Sequence, residues 1–347
     1  MGKAVRKLEC CRGSSYLRTG HSYNRKTTTF HQDFSLKGLD MLIESFRRKV
    51  GFLAVLAAMS PMVSGAAVDA PVAGNIWPAA EGVVQLHVGA IDVAVIEDRK
   101  TVFNQALFEG IEKYPERLAL LPGGKAPGVV KSFLVRSGDR LALIDSGYGA
   151  AFGGFTAERL AQMGVKAPDI TDVLLTHLDG DHIGGLSVDG KALFPKAVLH
   201  LSQAEYDGWI VKGDARAQKS IDRAREVFAL YGDRVKPFAV GEEVLPGVTA
   251  RDAKGHTIGH VRYDLDSNNA GMSIVGDLLH AYPLQMRFTA MSSKYDQDPV
   301  QSAVTREATL DELSRSGRFV SGMHVAPMGW IVKRQGGYDF MRFELKK

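Results

Sequence analysis

The sequence predicts an α+β fold, two β-sheets packed face to face with helices outside, and three observations predict it. Short runs rich in Val, Ile, Leu and Phe recur from residue 83 to the end, separated by turn residues. Helix-spaced segments fall between groups of these runs rather than after each one. No internal repeat or low-complexity tract interrupts the pattern.

Taken in order, the runs at 83–88 and 91–96 flank Gly89-Ala90 and read as a hairpin. Residues 107–128 read as a long loop, broken by Pro122, Gly123, Gly124 and Pro127. A loop of that length in a small domain usually serves as a lid or binding loop. A second hairpin joins 131–135 to 141–144 around Ser137-Gly138-Asp139, and 156–163 has helical spacing. Strands follow at 173–175 and 197–201. Ser202 with Glu205 three residues on is a capping box for the next helix. A further helix covers 221–230, then strands 248–252, 261–265 and 272–275. Pro299 at a first helical position and Gly317 just past the end bound the last helix. Strands 319–321, 330–333 and 338–343 complete one domain, 83–347.

The N-terminal part has a different character. Residues 1–40 are basic, polar and aperiodic, as expected of an unstructured upstream extension, and the expected start of translation is Met41 rather than Met1. From Met41, Arg47-Arg48-Lys49 precede an apolar run and then Ser64-Gly65-Ala66-Ala67. That is the order of an export signal over 41–67, too short to span a bilayer as a helix, so the expected location is periplasmic or secreted with no membrane anchor after cleavage. Residues 68–82 read as a linker. Both cysteines, Cys10 and Cys11, lie in the leader, so the rest has no disulfide and no thiol nucleophile. The first 66 residues hold 11 Lys/Arg against 4 Asp/Glu; beyond them 32 basic side chains face 35 acidic ones. A near-neutral body offers nucleic acid no electrostatic footprint, and a small-molecule substrate is the partner expected.

The chemistry concentrates in Thr176-His177-Leu178-Asp179-Gly180-Asp181-His182-Ile183-Gly184-Gly185, directly after an apolar strand. Two imidazoles and two carboxylates in six positions supply the nitrogen and oxygen donors that hold divalent metals. Gly255-His256-Thr257-Ile258-Gly259-His260, Asp277 and His324 stand at further strand-to-loop junctions. This order resembles the metallo-β-lactamase superfamily, whose first motif is His-x-His-x-Asp-His followed by a lone His, a bridging Asp and a final His. The resemblance implies an αββα sandwich and a dinuclear site. Carried over by position, its metal ligands are His177, Asp179, Asp181, His182, His260, Asp277 and His324, with zinc as the expected pair of ions and manganese or iron admitted by Asp179. By the same mapping His256 locks its loop. The likeness extends to the methyl parathion hydrolase and quorum-signal lactonase branches, which implies Phe133 and Trp209 as pocket aromatics.

Asp179 stands where the family keeps a second His. The carboxylate makes the site one charge less positive, which weakens it as a Lewis acid. The activity expected is hydrolysis of a small ester, lactone or phosphotriester by a metal-bridging hydroxide, with Asp181 as catalytic acid or base besides ligating. The alternatives are a thioesterase or β-lactamase-type amide hydrolase, and a metal- or signal-binding protein whose turnover Asp179 has cost. The apolar 282–295 stretch is either a pocket wall or a subunit contact, the second implying a homodimer.

Overall fold

The computed structural model describes residues 68–344. The upstream extension 1–40 and the export segment 41–67 lie outside the described residues.

Two large sheets form. The first contains β1 (Val72–Ala73), β2 (Val83–Val88), β3 (Ile91–Asn104), β4 (Lys125–Ser137), β5 (Arg140–Ile144) and β6 (Asp172–Leu174). A small hairpin, β7 (Ser187–Val188) with β8 (Lys191–Ala192), precedes its last members, β9 (Val198–Ser202) and β10 (Val235–Phe238). Their spatial order is β1-β2-β3-β4-β5-β6-β9-β10, antiparallel up to β5 and parallel beyond it. The second sheet runs in sequence order through β11 (Glu243–Leu245), β12 (Val248–Asp252), β13 (Val261–Ser267), β14 (Ala270–Ile274), β15 (Phe319–Ser321), β16 (Gly329–Arg334) and β17 (Gly337–Arg342). Only its β14–β15 pair is parallel, because the helix Pro299–Ser316 carries the chain back between them.

Period-two alternation builds the layers. Val93, Val95, Phe133, Val135 and Ile144 face the second sheet and meet Val248, Tyr263, Met272, Ile274 and Phe319 in the central core. Their sequence neighbours Ala94, Ile96, Leu134 and Leu143 face outward onto the helices Thr156–Gln162 and Gln218–Ala229 through Leu160, Ile221, Ala224 and Phe228. On the opposite side Val320, Ile331 and Phe340 pack under Leu310 and Leu313 of Pro299–Ser316. The result is helix, sheet, sheet, helix, the αββα sandwich.

Three departures from the sequence reading have local causes. Residues 68–82 are not a free linker: β1 pairs with β2, and Trp77 is buried beneath Gln85, whose side chain binds the backbone of Ile76 and Trp77. The strands β3 and β4 run past the first sheet as a two-stranded arm, with Asn104 opposite Lys125. The connection between them folds back in short helical turns and buries Phe108, Ile111 and Leu121 against Leu284 and Met291. Within the 282–295 stretch that contact buries Leu284 and Met291, whereas Met286 is buried in the cluster of Leu310, Ile331 and Phe340 and Tyr295 is exposed.

Candidate metal centre

One end of the sandwich gathers the loops that leave β5, β6, β14 and β15 and the loop that enters β13. These bring His177, Asp179, Asp181, His182, Asp277 and His324 into one cluster, together with His256 and His280.

Asp145 organises the first motif from below. It follows β5 at φ +51°, a conformation that a non-glycine residue adopts only when its surroundings hold it there. Its carboxylate accepts the Thr176 N–H at 2.8 Å, the Thr176 hydroxyl at 2.7 Å and the His182 Nδ1–H at 2.6 Å. With its own proton given to Asp145, the Thr176 oxygen is free to accept from His177 Nδ1 at 3.0 Å. His324 donates Nδ1–H to the Val129 carbonyl at 3.0 Å, and His256 donates Nδ1–H to Asp296 at 3.1 Å. Four imidazoles thus have their outer nitrogen occupied as a donor, which turns each Nε2 inward; those of His324 and His256 meet Asp277 and Asp179 at 2.9 and 3.1 Å, and those of His177 and His182 have no hydrogen-bond partner.

Asp277 lies at the centre. Its Oδ1 is 3.3 Å from His182 Nε2; its Oδ2 is 2.9 Å from His324 Nε2, 3.3 Å from His256 Nε2 and 3.7 Å from His177 Nε2. Three three-donor groups gather at this carboxylate: His177 with His256 and Asp277, Asp181 with His182 and His324, and Asp277 itself with His280 and His324. Asp179 Oδ2 adds to the first group at 3.1 Å from His256 Nε2 and 3.6 Å from His177 Nε2. The buried His177 Nε2, His182 Nε2 and Asp277 Oδ1 have no hydrogen-bond partner. Buried polar atoms left bare in this way cost free energy unless something binds them. A pair of divalent ions would satisfy them, and the mixed imidazole and carboxylate donors suit zinc, iron or manganese.

The electrostatics divide the histidines. Burial opposes charge on His256, but Asp179 and Asp296 outweigh it and push the imidazole up to about 9. Burial likewise opposes charge on His182, and Asp277, Asp145 and Asp181 overcome it. His177 is held well below the ordinary imidazole value by burial and by His182.

His260 belongs elsewhere. Its Nδ1–H donates to the Ala253 carbonyl at 2.8 Å and its Nε2 accepts the Asp277 backbone N–H at 3.1 Å. Both ring nitrogens are consumed, so it holds the Asp277 loop in place, and the imidazole of this loop that turns Nε2 to the cluster is His256, not His260 as expected from the sequence. The contact is close: at Gly276, φ +55°, a Cβ would lie 2.2 Å from His260 Nε2. Burial and the His256 charge push His260 down to about 3, consistent with a neutral acceptor. His280, three residues after Asp277, reads from the sequence as an exposed loop residue, but it is buried with Nε2 3.4 Å from Asp277 Oδ2 and its ring stacked 5.0 Å from that of His324.

The cluster opens into a cleft of about 390 Å³, within the size range of small-molecule sites. Its walls include Phe103 from the β3 arm, Tyr148, Arg216, Lys294 and Tyr295. Phe133 and Trp209 are not among them. Phe133 points between the sheets and Trp209 into the helix-covered core, both fully buried. Alternation decides this for Phe133, since the face of β4 that it occupies is the central core.

The model of the metallo-beta-lactamase superfamily matches residues 126–316 of this chain, which contain every cluster residue except His324. A curated relative, the probable metallo-hydrolase Rv2300c of Mycobacterium tuberculosis, is 28% identical over 186 residues, 45% of this chain. The match spans 58% of that relative's length. Among solved structures, the hydrolase AbOPH of the beta-lactamase superfamily aligns with TM-score 0.70 and 25% identity over 78% of this chain and 100% of its own. AidC, a dizinc quorum-quenching lactonase, aligns with TM-score 0.70 and 21% identity, covering 77% of this chain and 99% of AidC. With the fold, the motif order and the family model in agreement, the chain belongs to the metallo-beta-lactamase superfamily.

Proposed function

We propose that the chain is a dinuclear metal-dependent hydrolase of a small ester, lactone or phosphotriester. The observation that carries this reading is the set of four inward Nε2 atoms around Asp277, each imidazole locked from behind. His177, Asp179, His256 and Asp277 would hold one ion, and Asp181, His182, His324 and Asp277 the other. When bound, such a pair supplies an activated water at neutral pH and polarises the oxygen of an electrophile.

The chain's own groups do the rest. Asp181, partly open to the cleft and 3.4 Å from His324 Nε2, is placed to orient a nucleophile or carry a proton to a leaving group. Tyr148 and Tyr295 keep their phenolic protons at neutral pH: burial, reinforced by Asp181, pushes Tyr148 up to about 12 and raises Tyr295. Both can therefore donate to a carbonyl or phosphoryl oxygen. Phe103 offers an apolar wall beside them, 5.3 Å from the His324 ring. The fold leaves the substrate open, because one scaffold of this kind carries many hydrolytic reactions.

Elemental analysis paired with hydrolysis rates on lactone, aryl ester and phosphotriester substrates tests the proposal. Two ions per chain with turnover of at least one class is expected, and Asp277→Ala should abolish both. Two ions with no turnover of any acyl or phosphoryl substrate would instead favour a binding protein. Export remains part of the proposal, and the mature N-terminus of secreted protein checks it: a chain retaining Met1 contradicts it.

A further inference from the structure

Position 179, where the resembled family keeps an imidazole, carries a carboxylate that is not alone. Arg216, from the turn between the helical segments 207–212 and 218–229, meets Asp179 side on. Its Nε donates to Oδ1 at 3.1 Å and its Nη2 to Oδ2 at 2.7 Å. The same guanidinium donates from Nη1 to the Tyr295 carbonyl at 2.7 Å and from Nη2 to the His256 carbonyl at 3.3 Å. It therefore ties together the carboxylate, the backbone of a neighbouring ligand and the wall of the cleft. A planar fork of donors matches a carboxylate in a way that a lysine ammonium cannot.

We infer that Asp179 and Arg216 work as one neutral unit that replaces the missing imidazole, with Arg216 as the positioning residue. The inference rests on the dinuclear reading above. Two divalent ions would bring four positive charges, from which Asp179, Asp181 and Asp277 remove three. The guanidinium restores one, so the sum equals that of a centre with a neutral imidazole at position 179 and no arginine. The substitution of carboxylate for imidazole thus leaves the charge of the centre unchanged, and the weakening expected from Asp179 alone is offset. Geometry agrees, since Asp179 Oδ2 lies 3.6 Å from His177 Nε2 and 3.1 Å from His256 Nε2 while it and Oδ1 are held by the fork.

A double-substitution cycle in metal affinity tests this. The full chain, stripped by chelation, is titrated with cobalt(II), following the visible spectrum and the mass-spectrometric stoichiometry. Wild type should bind two ions. Arg216→Ala should weaken one of them by roughly 10–100-fold, the usual cost of losing a partner that orients a ligand. Arg216→Lys, which keeps the charge without the fork, should recover part of the loss. Asp179→His should also weaken binding, because an imidazole then faces an unpaired guanidinium. Adding Arg216→Ala to Asp179→His should bring the affinity back to within about threefold of wild type, a coupling far from additivity. The effect of removing the arginine therefore changes sign with the residue at 179, which a merely structural arginine could not produce. Melting curves of the metal-free variants report folding, and Arg216→Gln repeats the cycle should the alanine variant not fold. Equal weakening by Arg216→Ala in both backgrounds, or none in either, overturns the inference. A wild type that binds no cobalt overturns the dinuclear reading as well, and is recognised by the absence of any isotherm before a variant is made.

Discussion

Whether a histidine can take a metal is decided by its second ring nitrogen. His256 gives its Nδ1–H to Asp296 and keeps Nε2 for the cluster, whereas His260 has both nitrogens in hydrogen bonds. Alanine at the two positions should separate these roles. His256→Ala should cost roughly 10²-fold or more in hydrolysis and one bound ion, with the fold kept, because it deletes a ligand and leaves the core untouched. His260→Ala should retain two ions at saturating metal but lose about 1–3 kcal/mol of stability, the cost of stranding a buried donor such as the Asp277 N–H. Urea unfolding beside metal analysis reads both. The sequence could not make this distinction. Gly255-His256 and Gly259-His260 look alike locally, and the arbiters are Asp296, 40 residues from His256, and the close approach of Gly276. Arg216 was equally silent, an arginine in a polar turn whose partner lies 37 residues away. The gathering of His177, Asp181, His182, Asp277 and His324 was legible because strand-to-loop junctions single them out as candidates and the order of the resembled family's motifs joins them into one site.

At the scale of elements, the site depends on loops being held in register, and Glu205 does this for two of them. It starts from the expected cap, where Ser202 Oγ accepts the Glu205 N–H at 3.2 Å. Its carboxylate does not return to the cap but accepts the Leu178 N–H at 3.1 Å, the Thr257 hydroxyl at 2.8 Å and the Gly259 N–H at 2.9 Å. One buried side chain thereby joins the His177–Asp179 loop to the His256 loop. Burial raises its carboxyl from 4.5 to about 7. The stability that such a raised acid contributes is fully present below pH 4.5 and is lost as pH rises through 7. In metal-free protein, the advantage of wild type over Glu205→Gln should accordingly shrink between pH 4.5 and 7.5, by on the order of 3 kcal/mol. An advantage that stays flat with pH would show that Glu205 titrates as an ordinary surface carboxyl. The strands themselves were readable from alternation, and both hairpins fall at 83–96 and 131–144 as expected. The β3–β4 arm was not, because Pro122, Pro127 and the glycines around them broke the pattern without breaking the pairing. The two-residue β1 is too short to carry any periodicity.

The whole molecule has two ways to pacify the crowd of groups at its rim, ions or protons, and they respond oppositely to pH. Without metal, Asp277 is neutralised by imidazolium: His256 is pushed up to about 9, and His182 and His324 are raised by the surrounding carboxylates against the opposing effect of burial. Groups raised in this sense contribute stability that is fully present below the unfolded imidazole value of 6.5 and is lost as pH rises through about 9. With metal, the same nitrogens must be unprotonated to bind, so the contribution of the ions grows over that range. Metal at a hundredfold excess over its dissociation constant adds about 2.7 kcal/mol per site. For a domain of this size that corresponds to roughly 5–10 °C in Tm for each site. The drop in Tm on chelation should therefore be small near pH 6 and should widen steadily towards pH 9, as the metal-free protein weakens and the loaded protein gains. Differential scanning calorimetry with and without chelator at four pH values measures it. A gap that is constant or narrows with pH would mean that protons and ions do not compete for the same imidazoles. The clustering of Nε2 atoms around Asp277 would then have to be explained without a metal.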